Sequence, residues 1–301
     1  MQNWLSGKEL SRRSSTVRNY RRYTDLYILP ALGKLRLQAI VPAHIRQLYL
    51  RLQVEGKGAR TIQLVHVTLR CAFAQAVKEG LIGHNPLDAV ERPKVETKQF
   101  RIFTEEQACT FMIAAKGHSY EVLFYLALTT GMRKGEILGL KWSDVNWEKS
   151  MLRVERQLEP VSFNGGALAP TKTKSGRRLI KLGKGLLAML ELHRQRQETR
   201  KLLAGDCWKV NGTIFTTSIG NFIDQTKVSR EFKRILKEAD LPDIRFYELR
   251  HTSLSFLLDR VLRSTQSRIE PGTLRPPSRP ISTDIQWLIL KIKLPKKSKR
   301  L

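Results

Sequence analysis

A break in the sequence pattern divides this chain of 301 residues into two parts of different character. From Pro93 to Phe103 the apolar periodicity disappears and proline stands among alternating charges, which is typical of a linker. Before the break the pattern predicts helices joined by short turns; after it, helical runs alternate with strand-like stretches. We therefore expect two domains and a mainly α fold with a small β component (α+β).

The first part has two well-defined helical patterns. Pro42 occupies a typical first helical position, and the apolar residues that follow share one face: Ile45, Leu48, Tyr49 and Leu52. A longer run from Ile62 to Val77 also has helical spacing and should end at Gly80. The remaining faces carry basic side chains that are placed to follow phosphates: Arg46, Arg51, Lys57, Arg60, Arg70 and Lys78. An ordinary solvated face explains any one of these helices equally well.

The second part mixes helices and strands. Thr104 and Gln107 form a capping-box pattern at its first helix. An apolar run from Val122 to Thr130 leads into Gly131, after which a second helical pattern places Ile137, Leu138 and Leu140 as its apolar positions. Further along, the pattern predicts strands over 151–158 and 178–182 and helices over 228–239 and 249–262.

The charge of the chain indicates what it binds. Lysine and arginine number 54 against 27 acidic residues, a formal net charge of +27, which favours nucleic acid or an anionic membrane surface over a merely solvated basic surface. No apolar stretch is long enough for a membrane span, and the N-terminal segment is polar and basic, unlike a secretory signal. The cysteines, Cys71, Cys109 and Cys207, match neither a disulfide framework nor a zinc spacing. We expect a cytoplasmic protein that binds nucleic acid and no metal.

The most informative segment runs from Thr129 to Trp147. It places Arg133 at the start of a helix, just after a glycine turn, with Glu136 one turn later. An arginine there can present its guanidinium to a phosphate beside free backbone N–H groups, although an exposed arginine at a helix start is often unremarkable. The segment resembles the first arginine box of the tyrosine recombinases, or phage-type integrases. The resemblance implies that Arg133 contacts the scissile phosphate of DNA.

A second segment, from Ala169 to Arg178, is similar to the β-hairpin that carries a catalytic lysine in this family. Lys172 aligns best with that lysine, and Lys174 is the close alternative. The resemblance implies that Lys172 protonates the leaving 5′ oxygen as a general acid. Taken alone, the segment is explained equally well as a basic turn that attracts phosphate.

The third segment, Arg245 to Thr252, resembles the second arginine box. Arg250 falls on the second catalytic arginine, and a pair of guanidinium groups can hold both non-bridging oxygens of a phosphate. Tyr247 occupies the position where the family commonly has a histidine, so a hydroxyl replaces an imidazole and we expect impaired chemistry there. His251 fits the family pattern as a structural residue.

The resemblance also implies the domain organisation. The segments that begin at Tyr20 and at Arg60 are similar to the helical core-binding domain that precedes the catalytic domain in integrases. We therefore expect a DNA-binding core-binding domain over 1–96, a linker over 97–103, an incomplete mixed α/β catalytic domain over 104–260 and a divergent basic tail over 261–301.

The reaction that the resemblance implies needs a residue that this sequence lacks. In the family a tyrosine attacks the phosphate and conserves the bond energy, so no cofactor is needed; this tyrosine, preceded by a His or Trp, follows the second arginine. Here no tyrosine follows Tyr247 and no histidine follows His251, and Trp287 lies too far along. We expect a site-specific recombinase by family whose strand cleavage is lost. The other interpretation is a non-catalytic protein that binds duplex DNA, as a homo-oligomer or in competition with an intact integrase.

Overall fold

The computed structural model describes residues 1–11, 14–96, 100–159, 166–171 and 176–266. The chain forms two compact units, Met1–Gln99 and Phe100–Leu301. The first is built from helices, and the second combines helices with two small antiparallel sheets. The predicted fold class, mainly α with a small β component, is confirmed.

Unit 1 contains five α-helices among its described residues: α1 (Gln2–Ser11), α2 (Ser14–Tyr23), α3 (Leu29–Leu32), α4 (Pro42–Val54) and α5 (Ala59–Lys78). A π-helical turn, Thr24–Ile28, joins α2 to α3, and 3-10 turns cover Leu37–Ala39 and Pro86–Ala89.

The two helices predicted in this unit are confirmed, and they build its core. Helix α4 begins at Pro42, and α5 ends just before Gly80, whose φ of +69° favours glycine. Their apolar faces meet in a single buried cluster, which also takes in residues on either side: Ile28, Leu32, Ile45, Leu48, Leu52, Ile62, Val65, Leu69, Phe73, Leu87 and Val90. Burial of this apolar surface is what holds the helices together.

Unit 2 begins with three helices, α6 (Glu105–Ala114), α7 (Glu121–Thr130) and α8 (Lys134–Leu138). Five strands follow: β1 (Val145–Asn146), β2 (Met151–Val154), β3 (Arg156–Glu159), β4 (Ala167–Pro170) and β5 (Arg178–Lys181). The last helices are α9 (Lys184–Ala204), α10 (Gln225–Glu238) and α11 (Glu248–Gln266), and 3-10 turns cover Trp142–Asp144 and Gly205–Cys207.

Several local predictions in unit 2 are confirmed. Thr104 and Gln107 form both hydrogen bonds of a capping box at α6, with N···O distances of 3.3 and 3.0 Å. The apolar run becomes α7, which is buried on nearly all sides at the centre of the core and ends at Gly131. The second helical pattern is shorter than expected, since α8 has only five residues and leaves Leu140 outside.

The predicted strand over 151–158 is wrong as a single element. Strand β2 pairs with β5, with Leu152 opposite Ile180, whereas β3 pairs with β4, with Leu158 opposite Leu168. The sheets have the orders β1-β2-β5 and β3-β4, so the alternating pattern changes partner at Glu155. An alternating pattern defines the two faces of a strand but does not define its neighbours.

Helix α9 has 21 residues and was not predicted. Its buried positions have helical spacing, but two of the four are polar: Leu186, Leu190, His193 and Gln197. His193 and Gln197 are satisfied by the backbone carbonyl of Ile214, at 2.9 and 3.0 Å. Polar residues on the buried face hide the apolar periodicity from which a helix is recognised.

The helix predicted over 249–262 is present and is longer than expected, since α11 runs from Glu248 to Gln266. The rest of the predicted tail, 267–301, lies outside the described residues, as do Lys172 and Lys174. Cys71 and Cys109 are partly buried and Cys207 is exposed, and none of the three is in a disulfide among the described residues. Among the described residues, no helix combines the length and apolar character needed to cross a membrane.

Candidate active site

The turn after α7 brings together two distant parts of the sequence. Gly131 caps α7 with a φ of +60°, in the left-handed region. A Cβ atom at this position would lie 3.2 Å from the Oγ atom of Ser253 and 3.8 Å from Cγ of Arg250, both on α11. The carbonyl oxygen of Gly131 accepts a hydrogen bond from the Arg250 guanidinium. A glycine is needed here both for the backbone conformation and for the close approach of α11.

Arg133 lies two residues further on, at the N-cap of α8. Its guanidinium Nη1 donates to Oε1 of Glu136 at 2.8 Å, and its backbone N–H donates to Oε2 at 3.0 Å. The Glu136 side chain is buried, with only 1% of its surface exposed, whereas that of Arg133 is 40% exposed. Glu136 therefore fixes both the backbone and the side chain of Arg133, and leaves part of the guanidinium open to solvent.

A second arginine binds the same carboxylate from the sheet. Arg178, the first residue of β5, donates from Nη2 to Oε2 of Glu136 at 2.9 Å and from Nη1 to the carbonyl of Gly176 at 3.1 Å. Sequence reasoning quoted Arg178 within the hairpin segment but did not assign it to the site. We refer to Arg133, Arg178, Arg250 and Glu136 as the arginine cluster.

The electrostatics of the arginine cluster are unbalanced, since three guanidinium groups surround one carboxylate. Burial raises the pKa of Glu136, but the hydrogen bonds from Arg178 and Arg133 outweigh it and hold the pKa below the ordinary value. The pKa of Arg250 is lowered by burial and then by repulsion from Arg133 and Arg178. Excess positive charge in a partly desolvated site is stabilised when an anion binds.

Tyr247 and His251 lie beside the arginine cluster. Tyr247 immediately precedes α11, and His251 lies in its first turn. The Tyr247 side chain is 48% exposed and is close enough to Arg250 to affect its pKa. The His251 ring stacks on Phe100, with centroids 4.2 Å apart, and meets Tyr247 edge to face at 5.1 Å. Its Nε2 atom is buried and has no hydrogen-bond partner among the described residues. The contacts of the His251 ring with Phe100 and Tyr247 are packing contacts, which fits a structural residue.

The structure thus brings two of the three predicted catalytic residues together, because Arg133 and Arg250 share one cluster. Lys172 falls outside the described residues. The expectation of free backbone N–H groups beside Arg133 is wrong at Arg133 itself, whose N–H is taken by Glu136.

Sequence reasoning placed Glu136 one turn after Arg133 and gave it no role. An acidic side chain three residues after an N-cap can fold back onto the cap, and that spacing was available as a signal. Among the described residues, no group of three or more His, Cys, Asp or Glu side chains is arranged to hold a metal ion.

Comparison with known proteins shows the family of the chain. The profile described as "Phage integrase family" matches residues 101–264, and "Phage integrase, N-terminal SAM-like domain" matches residues 1–53. A tyrosine recombinase XerC-like protein of Caldanaerobacter subterraneus subsp. tengcongensis is 33% identical over 280 residues, covering 86% of this chain and 71% of the relative. An integrase of Saccharopolyspora erythraea is 27% identical, covering 83% and 69%.

A solved structure shares the fold. The Tn1549 transposon integrase, in complex with transposon right end DNA, superposes with a TM-score of 0.71 at 20% identity, covering 85% of this chain and 86% of that one. The chain belongs to the phage integrase family of tyrosine recombinases.

Proposed function

We propose that this chain binds duplex DNA and holds a backbone phosphate in the arginine cluster, without cleaving the strand. The observation that carries the proposal is the charge balance of the cluster. Arg133 and Arg178 both bind the single carboxylate of Glu136, so one of their two positive charges is left over. Arg250 adds a further cation, whose pKa is lowered by burial and by its neighbours. A phosphate diester is an anion of the size and geometry that guanidinium groups bind.

In this proposal Arg133 and Arg250 contact the non-bridging oxygens of the phosphate. Arg133 is held from behind by Glu136 and Arg250 by the Gly131 carbonyl, so both guanidinium groups are oriented before the anion arrives. Such preorganisation lowers the cost of binding and stabilises negative charge that develops on the phosphate. Lys172 is proposed to occupy the position of the family's general acid, where it has no leaving 5′ oxygen to protonate as long as the strand is not cleaved. The Tyr247 hydroxyl is proposed as a hydrogen-bond donor where the family has a histidine.

Strand cleavage is proposed to be lost because no residue from 248 to 301 is a tyrosine. A phosphate can be gripped without a nucleophile, but it cannot be transferred to the protein without one. The four tail serines that precede Trp287, at 264, 267, 278 and 282, have no feature in the sequence that would activate them against Arg133 and Arg250.

The family organisation supports specific roles for the two parts of the chain. We propose that 1–96 is the core-binding domain, that 97–103 is the linker, and that 104–260 is the catalytic domain with its phosphate grip. The net charge of +27 supports binding along several phosphates at once. Related integrases have been crystallised on DNA as a dimer and as a tetramer, and we propose that this chain assembles on DNA with copies of itself or with an intact integrase.

A nicked suicide duplex tests the absence of cleavage. The full chain is mixed with a duplex that carries the junction sequences flanking its gene and a nick that traps any covalent product. We expect a retarded band under native conditions and no adduct that survives denaturation. An adduct lost in Y247F but kept in wild type would identify Tyr247 as a nucleophile and contradict the proposal.

A salt titration tests the binding itself. The affinity of the full chain for a duplex should fall steeply as salt rises, because each phosphate contact releases counterions. A response that is flat with salt would contradict the proposed DNA binding, since the basic surface would then have no part in it.

A further inference from the structure

A cavity lined by cationic side chains lies next to the arginine cluster. It has a volume of about 250 Å³ and is lined by Met132, Arg133, Lys134, Ser229, Arg245, Phe246 and Tyr247. Arg133 belongs both to this cavity and to the arginine cluster, so the two are adjacent. The proposed function uses Arg133 and Tyr247 but leaves Lys134, Ser229 and Arg245 without a role.

The polar side chains that line the cavity include no negative charge. Three of the lining side chains are cations and two are hydroxyls, and none is a carboxylate. Arg245 is exposed, and no described residue forms a hydrogen bond or an ion pair with its guanidinium, whereas its backbone N–H and carbonyl oxygen are both bonded to Glu248. A guanidinium that has no carboxylate partner among the described residues and lines the cavity with two other cations is available to an anion.

Lys134 contributes a cation that is fixed in place. Its Nζ atom donates to the carbonyl oxygen of Gln225 at 2.8 Å and to the Oγ atom of Ser229 at 2.6 Å. An ammonium group has three N–H bonds, so one remains for a ligand. Burial lowers the pKa of Lys134, against a smaller opposing effect of Asp224, so its positive charge is only partly compensated.

We propose that this cavity binds a second backbone phosphate of the DNA strand, the neighbour of the one held in the arginine cluster. Successive phosphates of one strand advance about 3.4 Å along the duplex axis, so a strand held in the cluster brings its next phosphate to an adjacent site. Arg245 and Lys134 supply the charge, and the Tyr247 hydroxyl supplies a neutral hydrogen-bond donor. The Ser229 hydroxyl donates to the Gln225 carbonyl and accepts from Lys134, so it positions Lys134 and does not contact the anion. The inference rests on the proposed function, because it assumes that the cluster holds DNA.

The experiment measures how affinity for a short duplex of mixed sequence changes with salt. The full-length wild type is compared with R245M, R245K and a matched control, R196M, which removes the same charge from an exposed position of α9 outside the cavity. We expect R245M to lower the slope of log affinity against log salt by about 0.9, the value of one phosphate contact, and R245K to retain it. R196M should keep the wild-type slope.

Two further measurements separate charge from shape and from folding. Y247F removes a hydroxyl but no charge, so it should weaken binding at every salt concentration and leave the slope unchanged. Thermal unfolding of each variant should match wild type, since Arg245 and Arg196 are both exposed.

The two hypotheses fail in different ways. If the wild type shows a steep slope and R245M shows the same slope, the cavity does not bind a phosphate and the proposed function stands. If the wild type itself shows no salt dependence, the proposed DNA binding fails first. A loss of slope in R196M equal to that in R245M would mean that any surface cation contributes, and would overturn the assignment of the cavity.

Discussion

The two units of this protein both hold arginines beside carboxylates, but in opposite ways. In the described part of unit 1 each of these carboxylates binds a single arginine at an exposed position. Arg51, for example, donates to Glu55 at 2.8 Å, and the two side chains are 55% and 38% exposed. In unit 2 a single carboxylate, Glu136, is 1% exposed and serves both Arg133 and Arg178. The exposed pairs are neutral, whereas the buried group retains a net positive charge.

This difference shows why a count of basic residues does not locate a phosphate site. An exposed ion pair contributes little, because water and salt screen it and two long side chains must be ordered. A shared, buried carboxylate orients its arginines and leaves them in an environment where unbalanced charge matters more. The pKa of Arg250 is lowered first by burial and then by its two cationic neighbours, as expected where positive charge is in excess.

Removal of the central carboxylate should give the largest effect. E136A leaves Arg133 and Arg178 without their shared partner next to Arg250, and we expect it to lower the free energy of unfolding of unit 2 by about 3 kcal/mol. The matched change in unit 1, E55A, breaks an exposed i,i+4 pair and should cost less than about 0.5 kcal/mol. Urea unfolding with hydrogen exchange resolved by unit measures both.

Equal losses of unfolding free energy in E136A and E55A would contradict the comparison, because burial of the carboxylate would then have no influence on what its ion pairs contribute to stability. E136Q serves as a second control, since it keeps the shape and hydrogen-bonding oxygen of the side chain but not the charge. We expect E136Q to lie between wild type and E136A.

A smaller effect separates two glycines that share a backbone conformation. Gly131 and Gly80 have φ values of +60° and +69°, so alanine is strained at both. G80A should cost about 1 kcal/mol, because its Cβ meets no atom within 4 Å. G131A should cost about 2 kcal/mol, because its Cβ also lies 3.2 Å from the Oγ atom of Ser253. Only G131A should also weaken DNA binding, since it moves the carbonyl that orients Arg250; an equal loss of affinity in G80A would contradict that role.

The sequence was sufficient to predict what is encoded locally. Pro42, the capping box at Thr104 and the glycine turn at Gly131 each specify backbone conformation within a few residues, and the structure has all of them. The pairing of Arg133 with Arg250 was predicted only through the family resemblance, because 116 positions and several elements lie between them.

The features that the sequence did not predict depend on tertiary contacts. Glu136 is buried by packing that no local pattern reports, and its second partner, Arg178, arrives on a strand whose register is set by β2. Helix α9 was missed because His193 and Gln197 are satisfied by the Ile214 carbonyl, a contact that is invisible in sequence. The cavity beside the cluster likewise joins Lys134 to Arg245 across 110 positions.

The smallest expected effect is a pH dependence of stability that the buried carboxylate Glu136 should produce. The pKa of Glu136 in the folded protein lies below its ordinary value of 4.5, since the hydrogen bonds from Arg178 and Arg133 outweigh burial. A carboxyl whose pKa is lowered by folding contributes stability that is complete above the ordinary pKa and is lost as pH falls through the lowered one. The difference in unfolding free energy between wild type and E136Q should therefore be constant near neutral pH and should shrink as pH falls below 4.5. Comparison of wild type with E136Q at each pH cancels the other carboxyls, which both proteins share. A constant difference for E136Q down to the acid limit of folding would mean that the arginine cluster does not hold the Glu136 charge, and the contrast between the two regions would reduce to burial alone.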